Sequence, residues 1–143
     1  MLPDPCFKVM NLIHGGMLKL SGGRLGWDVM NMPALELTTV GRKSGERRKV
    51  MLTSPVQEGD TLVIVASKGG ESRHPAWFLN LRDEPAVEVS LRGGPAVPMT
   101  ARVASAEERA RLWPKVVQRY SGYGQYQTKT DREIPLVLLD PAS

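Results

Sequence analysis

Tyr120, Tyr123 and Tyr126 are the only three tyrosines in the chain, and they recur at a spacing of three. On a helix that spacing gathers the rings on one face. A phenol there can donate a proton or a hydrogen bond, and a row of rings can wall a flat substrate. Gly122 and Gly124 lie among them, disfavour a regular helix and point to a mobile flap. The alternative is an aromatic stripe that fixes a C-terminal helix to the core.

A second group is cationic. Residues 41–49, Gly-Arg-Lys-Ser-Gly-Glu-Arg-Arg-Lys, hold five basic side chains against one acid, which equals the net charge of +4 for the whole chain. The remainder is balanced, so the excess charge is local and suits one anionic ligand better than a general attraction to polyanions. Gly41 and Gly45 permit a tight turn, while Arg42, Lys43, Arg47 and Arg48 offer guanidinium forks and an ammonium group for phosphate or carboxylate. Read alone, the stretch is also compatible with a solvated hairpin turn. A third group, Ser67-Lys68-Gly69-Gly70, directly follows the apolar run 61–66 and sets a hydroxyl, an ammonium and two flexible peptides at the end of a rigid element.

Other chemistries lack their residues. The chain has neither a phosphate-binding Gly-x-x-x-x-Gly-Lys-Ser/Thr nor a Gly-x-Gly-x-x-Gly motif, and no convincing Ser-His-Asp or Cys-His set. His14 and His74 have no partners at ligand spacing, and Cys6 is the single cysteine, so neither a metal site nor an internal disulfide is expected. A cationic cradle and an aromatic wall with few catalytic groups make sense where a bound cofactor carries the reaction.

The elements that position these groups follow from periodicity. Phe7, Met10, Ile13 or His14, Met17 and Leu20 mark a helix over residues 5–20, packed on the domain or laid on a membrane surface. Strands are expected over 35–39 and 48–56, joined by the basic turn, and over 61–66, an apolar run buried on both faces. His74-Pro75 opens a helix carrying Trp77, Phe78 and Leu81. Residues 87–91 and 97–103 form a second hairpin. Ser105 and Glu108 match a capping box opening a helix that Pro114 kinks, and 134–139 is a last strand. Five or six mostly antiparallel strands with two or three helices suit a small, partly open barrel with helices packed outside. The 143 residues make one domain, with an N-terminal helical segment over 1–34 and a core over 35–143. No run reaches the roughly 18 apolar residues of a membrane span, and a cytoplasmic protein is expected.

Four blocks, in order, resemble the deazaflavin-dependent nitroreductase and quinone reductase family of actinobacteria. They are Leu37 to Gly45, Ala66 to Gly70, His74 to Leu81, and Tyr120-x-x-Tyr123-x-x-Tyr126-Gln127-x-Lys129-Thr130-Asp131-Arg132-x-Ile134-Pro135. The resemblance implies a split β-barrel, α+β and mainly β, that binds coenzyme F420, a deazaflavin whose tail carries a phosphate and a poly-glutamate chain. It implies that Lys43 and Arg48 hold the phosphate and tail with Arg42 nearby, that Ser67, Lys68 and Gly69 border the cofactor, and that Trp77 packs at its site. The reduced cofactor passes a hydride to a quinone, a nitroaromatic or another conjugated acceptor. The resemblance implies Tyr126 as the residue that positions the acceptor or supplies the following proton, with Ser67 as the alternative and Tyr120 and Tyr123 as pocket walls. Some members carry Tyr where this chain has Thr53, which implies a wider pocket and a different substrate range.

Two other classes stand beside this one. Some split-barrel relatives are non-catalytic carriers of lipid, haem or flavin, and the apolar segment 5–20 would suit peripheral membrane contact. A nucleic-acid binder acting through the basic loop ranks last, because the rest of the surface is balanced and no recognition motif is present.

Overall fold

Eight antiparallel strands and three helices make up residues 28–29 and 32–142, which the computed structural model describes. The helix expected over 5–20 and its membrane contact fall outside the described residues. Strand β2 (Met32–Val40) buries Leu35 and Leu37 completely and pairs with β3 (Arg47–Thr53) in continuous register from Ala34↔Thr53 to Val40↔Arg47. A two-residue stub, β1 (Asp28–Val29), adds to the start of β2. With β4 (Val56–Glu58), β5 (Thr61–Val65), β6 (Ala86–Leu91), β7 (Ala96–Val103) and β8 (Leu136–Pro141), the sheet runs β3-β2-β6-β7-β8-β5-β4.

The expected strand over 48–56 is therefore two strands, broken at Ser54-Pro55. They lie at opposite ends of the sheet order, yet only these two residues join them. Laid flat, seven strands would put their edges roughly 29 Å apart, six spacings of about 4.8 Å. The three Cα steps from Thr53 to Val56 reach at most about 11 Å. The sheet must roll until its edges meet, which produces a split barrel. Ser54 is fully buried at the seam: its amide donates to Pro33 O (3.0 Å), and its hydroxyl lies 2.7 Å from Val63 O and 2.9 Å from Val56 O.

Rolling creates two apolar faces. The first packs Leu35, Leu37, Leu62, Ile64, Val137 and Leu139 with Phe78 and Leu81 of α1 (Ala76–Asp83). The second packs Val63, Val65, Leu136 and Leu138 against Leu112 and Val116 of α2 (Ala106–Arg119) and Tyr123 of α3 (Gly122–Thr128). Strand β5 is thus buried on both faces, as its apolar run predicts. The capping box at α2 is present in both directions, with Glu108 N donating to Ser105 Oγ (3.2 Å) and Ser105 N to Glu108 Oε1 (2.9 Å). No helix among the described residues is long and apolar enough to cross a membrane.

The segment expected as a flap is the helix α3. Its glycines serve close packing: a Cβ at Gly122 would stand 2.5 Å from the Tyr120 ring, and one at Gly124 would meet Val117 at 3.3 Å. A stripe anchored in the core therefore describes the tyrosines better than a hinge does.

Between β5 and α1 the chain turns a corner through Ser67 and a 3-10 turn, Lys68–Gly70, in which Lys68 is left-handed at φ 44°. Arg132 holds this corner. Its guanidinium donates to Ser67 O (2.8 Å), Ala66 O (3.2 Å) and Glu71 O (2.8 Å), and lies 3.1 Å from His74 Nδ1. Gln127 of α3 secures the segment that carries Arg132, donating to Arg132 O (2.8 Å) and accepting from Ile134 N (2.8 Å).

Arg102 of β7 bridges Glu108 (2.6 Å) and Asp140 (2.7 Å). Glu108 is held below its ordinary 4.5 by the Ser105 amide and then by Arg102, and Asp140 below 3.8 by the Thr61 hydroxyl and then by Arg102. Folded, both carboxyls bind protons less tightly than in the unfolded chain, so this stabilisation is present above about pH 4.5 and is lost as pH falls through the folded values. The melting temperature should drop on the acid side. Arg102→Met should flatten that slope by an amount worth at most about 1 kcal/mol, since the guanidinium is half-exposed. A variant profile parallel to the parent's would refute the coupling. Separately, burial, then Arg132, then Arg82 lower the His74 pKa. Arg132→Met should therefore raise it, as read from the imidazole resonances by NMR titration.

Candidate active site

A groove of about 690 Å³ opens between the β2–β3 hairpin, the corner after β5 and the start of α1. Arg42, Lys43 and Arg48 line it from the hairpin, Ser67 and Lys68 from the corner, and Trp77 from α1. Gly69 belongs to the same 3-10 turn as Lys68. Val50, Met51 and Leu52 of β3 supply an apolar wall, so the groove joins a cationic end to an apolar one. That combination suits an amphiphilic ligand with a flat ring and a charged tail.

The hairpin turn is built by its own residues. Gly41 N donates to Glu46 O (2.7 Å), Gly45 N to Gly41 O (2.8 Å), and Glu46 N to Ser44 Oγ (3.1 Å). A Cβ at Gly41 would stand 2.7 Å from Ser44 Oγ, so the fold of the turn excludes a larger residue there. Gly45 has φ 72°, a region costly for other residues.

Hydrogen bonds and ion pairs divide the five cations. Arg47 turns away and pairs with Glu88 of β6, and it does not line the groove. Arg48 lies 3.4 Å from Glu46, and Lys49 lies 3.9 Å from Glu36. Arg42 and Lys43 have no acidic partner among the described residues. Unneutralised cations on a groove wall are the strongest electrostatic pointer to an anion.

Sequence reasoning assigned no role to Lys49 or Asn80, yet both line the groove. Asn80 is 5% exposed; its Oδ1 accepts from Arg42 N (3.1 Å), and its Nδ2 donates to Thr39 Oγ1 (3.2 Å). It thereby ties the basic turn to α1. The available signal was an amide three residues after Trp77 on a helix face otherwise occupied by Phe78 and Leu81.

The tyrosines stand apart from the groove lining. Tyr123 is 8% exposed, and burial pushes its phenol up, while its hydroxyl lies 3.3 Å from Thr53 Oγ1. Tyr120 and Tyr126 are half-buried and pack edge-on against it, at centroid distances of 5.1 and 6.2 Å. Helix α3 nonetheless abuts the corner: a Cβ at Gly70 would stand 2.6 Å from Tyr126 O. Tyr126 is thus one packing layer from the turn that carries Ser67 and Lys68. Ser67, 3% exposed, lines the groove itself, as do Thr39 and Ser44.

Residues 12–141 match the model of the F420H(2)-dependent quinone reductase family. An F420H(2)-dependent quinone reductase of Mycobacterium tuberculosis is 36% identical over 131 residues, 89% of this chain and 87% of that protein. Among solved structures, an F420-H2 dependent reductase is 42% identical at a TM-score of 0.67, covering 76% of this chain and 94% of the other. A second, described as a domain-swapped dimer, is 38% identical at 0.69, covering 90% and 96%. The haem storage protein HutZ of Vibrio cholerae shares the fold alone, at 14% identity and 0.59, covering 87% and 89%. The chain belongs to the F420H(2)-dependent quinone reductase family, and is with it an oxidoreductase whose cofactor is coenzyme F420.

Proposed function

We propose that the groove holds reduced F420 with its phosphate and tail toward Arg42, Lys43 and Arg48 and its ring system beside Ser67, Lys68, Gly69 and Trp77, and that the acceptor is a quinone. The observation that carries this reading is the meeting of two cations without acidic partners, a buried hydroxyl and an indole in one groove. The donor set fits the cofactor: cations at one end match a phosphodiester, and Trp77 with the β3 wall matches an aromatic ring. When bound in reduced form, the deazaflavin supplies the hydride.

The chain's own residues then have three tasks. Arg42, Lys43 and Arg48 bind and orient through charge, and Asn80 keeps the backbone of Arg42 in place. Val50, Leu52 and Trp77 exclude water from the ring end. A proton must accompany the hydride to the acceptor. Tyr126 is assigned to position the acceptor or to give that proton, with Ser67 as the alternative donor. Tyr120 and Tyr123 form the aromatic backing behind Tyr126, and Thr53, bonded to Tyr123, leaves room on the acceptor side. Nitroaromatic and other conjugated acceptors belong to the same proposal, because an electron-poor flat molecule meets the same walls.

Fluorescence titration with F420 and with FMN tests the reading, which expects clear preference for F420; comparable binding of both, or of neither, overturns it. Lys43→Ala should weaken F420 binding by about 1–2 kcal/mol, less than a fully buried charged hydrogen bond because the site is open to water. Tyr126→Phe should lower turnover about 10- to 100-fold or more with cofactor affinity nearly unchanged, the mark of a group that acts at the reacting acceptor. An equal loss in both quantities would remove Tyr126 from that role.

A further inference from the structure

Arg132 does not line the groove, yet its guanidinium is committed to the corner that does. Its Nη2 donates to Ala66 O and Ser67 O on the strand side of the turn, and its Nε donates to Glu71 O on the far side. The turn adds its own bonds, from Gly70 N to Ser67 O (2.9 Å) and from Glu71 N to Lys68 O (3.2 Å). One rigid fork therefore spans the turn from entry to exit, and both lone pairs of Ser67 O are taken. A lysine ammonium is a single point and could not span these acceptors.

The same frame continues into α3. Gln127 Nε2 donates to Arg132 O (2.8 Å), and its Oε1 accepts from Ile134 N (2.8 Å) and from Arg109 Nη2 of α2 (3.1 Å). Pro135 O accepts from Ala66 N (3.0 Å), and the backbone of Tyr126 packs on Gly70. Tyr126, the neighbour of Gln127, thus shares one hydrogen-bonded frame with Ser67. Three costs gather at this corner. Lys68 is left-handed; burial disfavours the charge of half-buried Arg132, which Glu71 partly offsets; and Glu71 Oε2 is buried with no hydrogen-bond partner among the described residues. Such costs persist where the surroundings over-determine them, and they concentrate where function needs a fixed geometry.

We propose that Arg132 is a positioning residue for hydride transfer: through the carbonyls of Ala66, Ser67 and Glu71 it fixes the backbone that carries Ser67 and Lys68 on the groove wall, and through Gln127 it fixes that backbone relative to Tyr126. This rests on the cofactor reading given above. Arg42, Lys43 and Arg48 supply the binding charge, so loss of Arg132 changes affinity little. Reacting groups must meet within a fraction of an ångström, so the same loss slows the transfer.

The test measures two quantities on the full chain. One is F420 affinity by fluorescence; the other is the single-turnover rate at which a soluble naphthoquinone oxidises bound reduced F420, followed by absorbance. Arg132→Lys should slow the single turnover at least about 10-fold while affinity changes by less than about 3-fold. Gln127→Glu keeps the acceptor for Ile134 N and Arg109 but loses the donor to Arg132 O, and should slow the same step by a smaller factor. In Arg132→Ala, millimolar guanidinium ion should restore part of the rate and ammonium at equal ionic strength should not, because only the planar fork reaches the carbonyls on both sides of the turn. If the alanine variant does not fold, the lysine and Gln127 variants decide. Equal losses in rate and affinity, an unchanged rate in Arg132→Lys, or recovery no better with guanidinium than with ammonium would overturn the assignment. A parent that binds F420 no better than FMN would overturn the cofactor reading, and this inference with it.

Discussion

The two-residue link between β3 and β4 is the constraint on which the rest of the structure depends. It joins the opposite edges of the sheet, and Ser54 satisfies the seam from within. Because the edges must meet, alternate residues of β5 and β8 face two different apolar layers, and both layers need covering helices. Helix α1 closes one and carries Trp77 and Asn80; helices α2 and α3 close the other and carry the tyrosines. The groove lies where the first hairpin, the end of β5 and the start of α1 come together, so its position follows from closure.

Charge in the basic turn is distributed by tertiary neighbours. Glu88 of β6 removes Arg47 from the site, while Asn80 occupies the amide of Arg42 and leaves its guanidinium for the groove. The corner opposite is held in the same way, by a guanidinium that serves three carbonyls. Both walls of the groove therefore rest on buried or half-buried polar side chains that make no claim to chemistry. Such contacts cost desolvation and return a fixed backbone, which is what an anion site at a strand end requires.

Much of this was legible in the chain. The apolar run 61–66 announced a strand buried on both faces, Ser105 and Glu108 announced the start of α2, and the clustering of Arg42, Lys43, Ser67, Lys68 and Trp77 in one groove matches the motifs in which they stand. The break at Ser54-Pro55 has a local signal in its proline, but that the two pieces lie at opposite edges of the sheet is a property of the whole sheet. Over the tyrosines a flap stood beside a stripe on a C-terminal helix because glycine is locally a helix breaker, whereas in α3 the glycines leave space that Tyr120 and Val117 occupy. The pairing of Arg47, and the supporting roles of Asn80 and Arg132, depend on partners 38 to 66 residues distant, which local pattern cannot report.

Lys68 occupies a backbone conformation that favours glycine, at φ 44°. A left-handed residue with a side chain costs about 1 kcal/mol or more, and two true glycines follow it immediately. The chain thus places a side chain where glycine is favoured, while Gly70, two residues on, does use its own left-handed freedom at φ 84°. A substitution that relaxed this backbone would also erase an ammonium on the groove wall, so at this residue a gain in stability and a loss of electrostatic capture are the same change.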